Sequence, residues 1–267
     1  MKFPPEHKFT KLSLLRRGPS SVLQMINKAK NIEELKKFFK EFSDRDRRRI
    51  EQKTKNQSEN ENWFLYRQAT ISGTLAKWVV SSIQRERTSI PLNSSISKFG
   101  SRGFTCPAIE YGTSNEKKGI DVLWIQFKKD HHMAKMYKMG LVVDTELPFL
   151  CGSPDIVLSC ENCCIREKIR YFIGEIKCPY RLKDIGLQGW KSLEYINENS
   201  ELKPTHPYYY QITLYCGLMN ASLGYFVIWT PTGHLFLEVP FNVELFNLIR
   251  NSAKKYFYGH YVKNFFD

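Results

Sequence analysis

The sequence lacks any uninterrupted apolar run of the roughly 20 residues a helix needs to cross a bilayer, and no signal-peptide pattern opens it. Both absences point to an intracellular protein and away from a membrane or secreted one. Acidic residues are also scarce: 27 Asp and Glu stand against 40 Lys and Arg, a net charge of +13. That deficit favours a polyanionic partner, because Lys and Arg gain free energy by releasing counterions from phosphates. A membrane surface is the competing polyanion, and a merely soluble basic protein is the plainest alternative. A pairing pattern of cysteines is missing too. Seven is an odd number, and without a secretion signal these read as reduced thiols. Cys160, Cys163 and Cys164, with Cys151, hint at zinc. Only one CxxC pair is present, however, and no downstream His pair at finger spacing, so a thiol-rich loop is preferred. No internal repeat or long low-complexity tract is found.

What the chain does contain is the material of a core: 42% hydrophobic and 14% aromatic residues over 267 positions. That is enough for one large domain or a domain with an appendage. Residues 1–60 hold 16 basic and 8 acidic side chains, so +8 of the net charge lies there. Asn31 is a plausible N-cap, with Glu33 and Glu34 in the first turn that follows. Ile32, Leu35, Phe38, Phe39 and Phe42 then recur at helical spacing. We read 1–60 as a basic helical appendage and linker, and 61–267 as the main domain. Arg45, Arg47, Arg48 and Arg49 are a solvated helix face or a DNA contact in equal measure.

Beyond the linker, Trp63 to Ile83 reads as helix interrupted near Ser72-Gly73, Ser89 to Gly103 as loop, and Glu110 to Phe127 as helix. The period then changes. Leu141 to Val143, Ile156 to Leu158 and Tyr171 to Lys177 read as strands. Tyr209 to Leu218 reads as a helix after Pro207, and Tyr225 to Thr230 with Leu235 to Val239 as a hairpin. Asn242 to Tyr258 closes as a helix, with Phe241 as a staple before its cap. Strands in the middle with helices on both sides predict an α/β fold, a central mixed β-sheet flanked by helices.

The strand Tyr171–Lys177 carries the chemistry. Alternation puts Ile173, Glu175 and Lys177 on one face, and Phe172, Gly174 and Ile176 on the other. A carboxylate and an ammonium inside an apolar strand need partners or a metal. Pro179 then ends the strand. Ser153-Pro154-Asp155 precedes the strand Ile156–Leu158, and the loop Ser159 to Arg170 can fold that strand back against the next. Asp155 and Glu175 at neighbouring strand ends make an oxygen-rich pocket of the kind Mg²⁺ prefers. Taken singly, Asp followed by Glu-x-Lys is common, and a structural Glu175–Lys177 ion pair is the plainer account. The fuller strings Gly152-Ser-Pro-Asp155 and Gly174-Glu-Ile-Lys-Cys-Pro-Tyr180 are much rarer together.

Those strings resemble the phage lambda exonuclease and YqaJ-type viral recombinase family, which includes alkaline nucleases of large DNA viruses, within the PD-(D/E)xK nuclease superfamily. The resemblance covers most of the chain beyond residue 60. Trp63 to Thr74 is similar to the family's Trp/Arg stretch and its turn, Glu110 to Glu116 to the helix bearing its first acidic residue, and Tyr209-Tyr-Gln211-Ile with Tyr215 to its glutamine helix. All occur in the family's order. Ile50 to Thr54 resembles the approach to the tryptophan in eukaryotic-virus and transposon-borne relatives.

The resemblance implies a restriction-endonuclease-like core and a set of roles. Asp155 and Glu175 are expected as Mg²⁺ ligands (Mn²⁺ substituting), with the Ile176 carbonyl as a third and Glu116 completing the site directly or through water. Lys177 is the expected catalytic lysine, and Gln211 organises water or the lysine. Arg67, Thr74 and Lys183 match positions around a terminal 5′-phosphate. Lys183 lacks the planar fork of the arginine in a relative, and Gly73 is expected to loosen its turn. Tyr208, Tyr209, Tyr210 and Tyr215 read as packing residues, and His131, His132 and His206 as ordinary loop or surface histidines.

The implied activity is a Mg²⁺-dependent, 5′-to-3′ exonuclease on linear duplex DNA. Its 3′ tails would feed a single-strand annealing partner in recombination or viral DNA processing. An endonuclease of the same fold and a silent DNA-end binder are the alternatives. The resemblance leaves a monomer and a ring-like homo-oligomer both open, and makes the host nucleus the expected compartment if the source is a eukaryotic virus or mobile element.

Overall fold

The computed structural model describes residues 18–85, 105–165 and 168–266, with the side chains of 162–169 outside that description. The loop expected at Ser89–Gly103 lies outside the described residues. A five-stranded mixed sheet forms the centre, in the order β1 (Ala134–Tyr137), β4 (Ile156–Ile165), β5 (Lys168–Lys177), β6 (Leu223–Thr230) and β7 (Gly233–Pro240). A separate ribbon joins β2 (Val142–Val143) to β3 (Cys151–Gly152). β4 and β5 pair antiparallel, while β5 and β6 are parallel. A parallel pair needs a long crossover, and the one here carries a helix that becomes important below. β4 and β5 run much further than expected: residues 159–165 and 168–170 of the anticipated loop lie in strand. β1 was not anticipated. Three of its four residues are exposed, so it lacks the apolar alternation that marks a strand.

Helices cover both faces. On one, α6 (Pro107–Asp130) buries Ile120, Leu123 and Phe127 against Ile156, Phe172, Ile176 and Val227. On the other lie α5 (Ala76–Gln84), α7 (Pro207–Met219) and α8 (Val243–Tyr256), which meet Ile173, Phe226 and Ile228. The expected alternation along β5 therefore holds: Ile173 faces one layer, Phe172 and Ile176 the other. The cap signals hold as well. Asn31 Oδ1 accepts the Glu34 N–H at 2.9 Å and Asn242 Oδ1 the Leu245 N–H at 2.9 Å. Phe241 packs on Phe246 with ring centroids 5.7 Å apart, the geometry of a hydrophobic staple.

The basic N-terminal segment is helical where described: α1 (Val22–Lys28), α2 (Ile32–Glu41) and α3 (Asp44–Lys53). Its apolar face shares the main core. Leu35 and Phe39 are buried with Phe149 and Phe257, and the Phe149 and Phe257 rings stack at 3.8 Å. Burying side chains of this size stabilises by roughly 1.5–3 kcal/mol each. The Leu141 N–H donates to Thr54 Oγ1 at 2.7 Å, and the Gly140 N–H to Glu51 at 3.1 Å. The boundary drawn at residue 60 thus coincides with no break in packing. Arg47 is spent on the fold, donating to the Thr145 carbonyl at 2.9 Å, whereas Arg45 and Arg48 are exposed.

Cys106, Cys151, Cys178 and Cys216 are free thiols. Cys160 is disulfide-bonded, which corrects the expectation of reduced thiols there; it sits where the β4–β5 register begins to shift. Among the described residues no helix is long and apolar enough to cross a membrane.

Candidate active site

The β4–β5 pairing sets the geometry. Ile156 stands opposite Gly174, so the next step outward brings Asp155 to Glu175. The Ile176 N–H donates to Asp155 Oδ2 at 2.7 Å and fixes the carboxylate against β5. Glu175, 2% exposed, accepts at one oxygen from two donors: Lys177 Nζ at 2.6 Å and Gln211 Nε2 at 2.7 Å. Its other oxygen, Oε2, is buried and has no hydrogen-bond partner among the described residues. Gln211 comes from α7, placed over this face by the β5–β6 crossover, and its amide also donates to the Tyr215 hydroxyl at 3.0 Å. Lys177 Nζ lies 5.0 Å from the centroid of the Tyr208 ring, also on α7. Glu116 arrives from α6, on the opposite side of the sheet.

The charges feel one another. Burial, then Asp155, push Glu175 up to about 8 against the pull of Lys177. Burial and Asp155 likewise push Glu116 up to about 7. Asp155 is raised by burial, against Lys177 and the Ile176 N–H. Burial works to strip the proton from Lys177, but Glu175 and Asp155 outweigh it and hold the ammonium charged. Three carboxylates with raised proton affinity are an arrangement short of positive charge. Even so, among the described residues no three acidic, His or Cys side chains converge into a finished metal cage. Asp155 and Glu175 lie side by side at neighbouring strand ends, and Glu116 is electrostatically coupled to both.

A second cluster adjoins this one. Arg67, at the end of α4 (Glu61–Arg67), has a guanidinium 3.8 Å above the Trp63 ring and donates to Ser72 Oγ at 3.4 Å. Ser72 Oγ in turn lies 3.0 Å from Thr74 Oγ1, and Thr74 is exposed. The expectation of a loosened turn at Gly73 is corrected. A Cβ there would come within 2.6 Å of the Tyr215 ring and 2.9 Å of Gln211 Cγ, so glycine is what lets the turn close on α7. Lys183 is not joined to this cluster by any contact among the described residues. Its ammonium is 3.0 Å from the Tyr180 hydroxyl and 3.9 Å from Asp184.

Four residues escaped the sequence reading in part or whole. Trp63 Nε1 donates to Ser153 Oγ at 2.9 Å, and Gln57 Nε2 donates to the carbonyls of Pro154 at 2.9 Å and Met139 at 3.2 Å. Both grip the loop that delivers Asp155. No local periodicity signals a contact some 90 residues distant in sequence. Tyr215, expected as packing, packs against Gly73 and Gly152 while its hydroxyl receives the Gln211 amide. His206, expected as an ordinary loop histidine, caps α7 by accepting the Tyr208 N–H at Nδ1.

A sequence profile described as viral alkaline exonuclease matches residues 16–183, well over half the chain. The chain belongs to the viral alkaline exonuclease family. As a family member it is a phosphodiester hydrolase, a nuclease acting on DNA. No curated protein sequence matches it. Among solved structures, an alkaline exonuclease from Laribacter hongkongensis superimposes with a TM-score of 0.53 at 14% identity, over 77% of this chain and 93% of that one. The Shutoff and Exonuclease Protein of Kaposi's sarcoma-associated herpesvirus gives 0.53 at 10% identity, over 91% and 79%. A SOX–DNA complex gives 0.55 at 11%, over 92% and 78%. At these identities the likeness is one of fold. It places this chain's mixed sheet and flanking helices among alkaline exonuclease structures.

Proposed function

We propose that this family member is a Mg²⁺-dependent 5′-to-3′ exonuclease that digests one strand of linear duplex DNA and leaves 3′ single-stranded tails. The observation that carries the reading is the buried, unpartnered Oε2 of Glu175 beside Asp155. A buried carboxylate oxygen without a donor costs free energy unless a cation answers it. Mg²⁺ suits the gap, because it keeps several waters and commonly binds proteins through one or two carboxylates. Asp155 and Glu175 would hold it, with the Ile176 carbonyl as a further ligand and Glu116 acting through water. When bound, the ion polarises the scissile phosphate and lowers the pKa of a coordinated water.

The protein's own groups do the rest. Gln211 and Lys177 both bond Glu175 Oε1, which leaves Oε2 as the free oxygen. Lys177 holds its charge at the same spot, where it can stabilise negative charge growing on phosphate oxygens. Arg67 and Thr74, with Lys183 reaching from its own turn, would seat the terminal 5′-phosphate. A basic surface with a net +13 supplies the sequence-independent attraction to duplex. The 3′ tails produced are the substrate a single-strand annealing protein would take.

The test compares 5′-phosphorylated linear, 5′-hydroxyl linear and covalently closed circular duplexes with Mg²⁺, with Mn²⁺ and with chelator. Rapid loss of the phosphorylated linear DNA, slower loss of the hydroxyl form, intact circles and no reaction in chelator are expected. Nicked circles would establish an endonuclease instead. Wild-type cleavage by Asp155→Ala or Lys177→Ala would remove the proposed site.

A further inference from the structure

Trp63 touches both clusters at once. Its ring face carries the Arg67 guanidinium at 3.8 Å, and its indole N–H holds Ser153 at 2.9 Å, two residues before Asp155. α4 is short, and its single buried side chain, Tyr66, pins it by donating to the Pro19 carbonyl at 2.9 Å. Among the described residues the Ser153–Asp155 loop has three side-chain fastenings: Trp63 on Ser153, Gln57 on Pro154, and the Ile176 N–H on Asp155. Of these, only Trp63 also contacts the arginine. A cation stacked on an indole and an indole N–H bonded to a hydroxyl are both directional. Movement of the guanidinium toward a phosphate is therefore passed to the loop through one rigid ring.

We propose that Trp63 is a positioning residue that couples the Arg67–Ser72–Thr74 cluster to the loop carrying Asp155, so that a terminal phosphate dianion at the first and a divalent ion at the second strengthen each other's binding. The inference rests on the proposed function above. Coupling between two binding events is reciprocal: whatever factor the phosphate gives the metal, the metal gives the phosphate. A DNA end that bears a phosphate would then assemble the metal site that cuts it, and an end without one would leave that site slack.

The experiment titrates Mg²⁺ with 5′-phosphorylated and 5′-hydroxyl duplexes and reads the metal concentration giving half-maximal rate. In parallel, calorimetry measures Ca²⁺ binding to the full chain in the presence of each duplex end. Wild type is expected to need about fivefold less metal with the phosphorylated end, in both measurements. Trp63→Phe keeps an aromatic face for Arg67 and deletes the N–H. It should retain a preference for phosphorylated ends while the fivefold difference in metal requirement collapses toward one. Ser153→Ala, which removes only the acceptor, should reproduce that collapse, and the double variant should be no worse than either single one. Equal metal requirements for the two ends in wild type, or an undiminished difference in both Trp63→Phe and Ser153→Ala, would overturn the coupling. Asp155→Ala runs alongside: if it cuts DNA normally, the metal site itself is misassigned, a failure separable from loss of coupling alone.

Discussion

Two buried carboxylates in this protein meet opposite fates. Asp144, 4% exposed, is held by three donors: one oxygen accepts the N–H groups of Glu146 and Leu147 at 2.9 and 3.0 Å and Arg250 at 3.0 Å. Glu146 adds a second bond to the same guanidinium at 2.8 Å. That knot fastens α8 to the loop between β2 and β3. Glu175 is buried as deeply, yet one oxygen takes two donors and the other takes none. Folding gives the first carboxylate three donors and leaves a buried oxygen of the second without one. An ionic group built for stability spends its bonding capacity inside the chain, and one built for chemistry keeps some in reserve.

Substitutions separate the two most sharply. Glu175→Gln and Asp155→Ala are expected to lower the cleavage rate at least about a thousandfold with the fold intact by circular dichroism; a variant of either kind that cuts at the wild-type rate would erase the distinction. Asp144→Ala should do the reverse, costing about 3 kcal/mol of stability because two N–H groups and a guanidinium lose their acceptor, with turnover per folded molecule preserved. Denaturant titration alongside a nuclease assay measures both. pH offers a milder probe. Glu175 at about 8 and Glu116 at about 7 both stand above the ordinary 4.5, so the folded state binds protons there more tightly than the unfolded one. Metal-free protein should therefore lose thermal stability as pH climbs from about 4.5 to about 8. Mg²⁺, which binds the deprotonated carboxylates and releases their protons, should oppose that loss. A metal-free melting temperature that rises across the window would contradict the raised affinities. The smallest effect is expected from Gln211→Met, a rate loss of about tenfold with little change in stability, since Glu175 keeps Lys177 as a donor.

Much of this was readable from residue order, and the reason is local. The β5 face pattern, the stop at Pro179, the caps at Asn31 and Asn242 and the Phe241 staple all depend on neighbours within a few residues, where periodicity and side-chain reach decide the outcome. Asp155 opposite Glu175 was within reach too, because a hairpin brings sequence neighbours together. What escaped depends on distant partners. The β5–β6 pairing waits on a crossover of some forty residues, and Trp63, Gln57 and Thr54 find their acceptors or donors over 80 residues away. Gly73 was misjudged for the same reason: its tolerance is set by Tyr215, which no spacing rule connects to it. Lys183 sat at a plausible position in the string but is held by Tyr180 and Asp184 in space.

The glycines at 73 and 152 have one more implication. Each lies flush against the Tyr215 ring, where an added methyl group would collide, and that ring's hydroxyl receives the same amide that steadies Glu175. Enlarging either position would tilt the phenol and, with it, the aim of a carboxylate that neither glycine touches. Drift in the geometry around Glu175 is thus curbed by a shortage of room at two positions that carry no functional group at all.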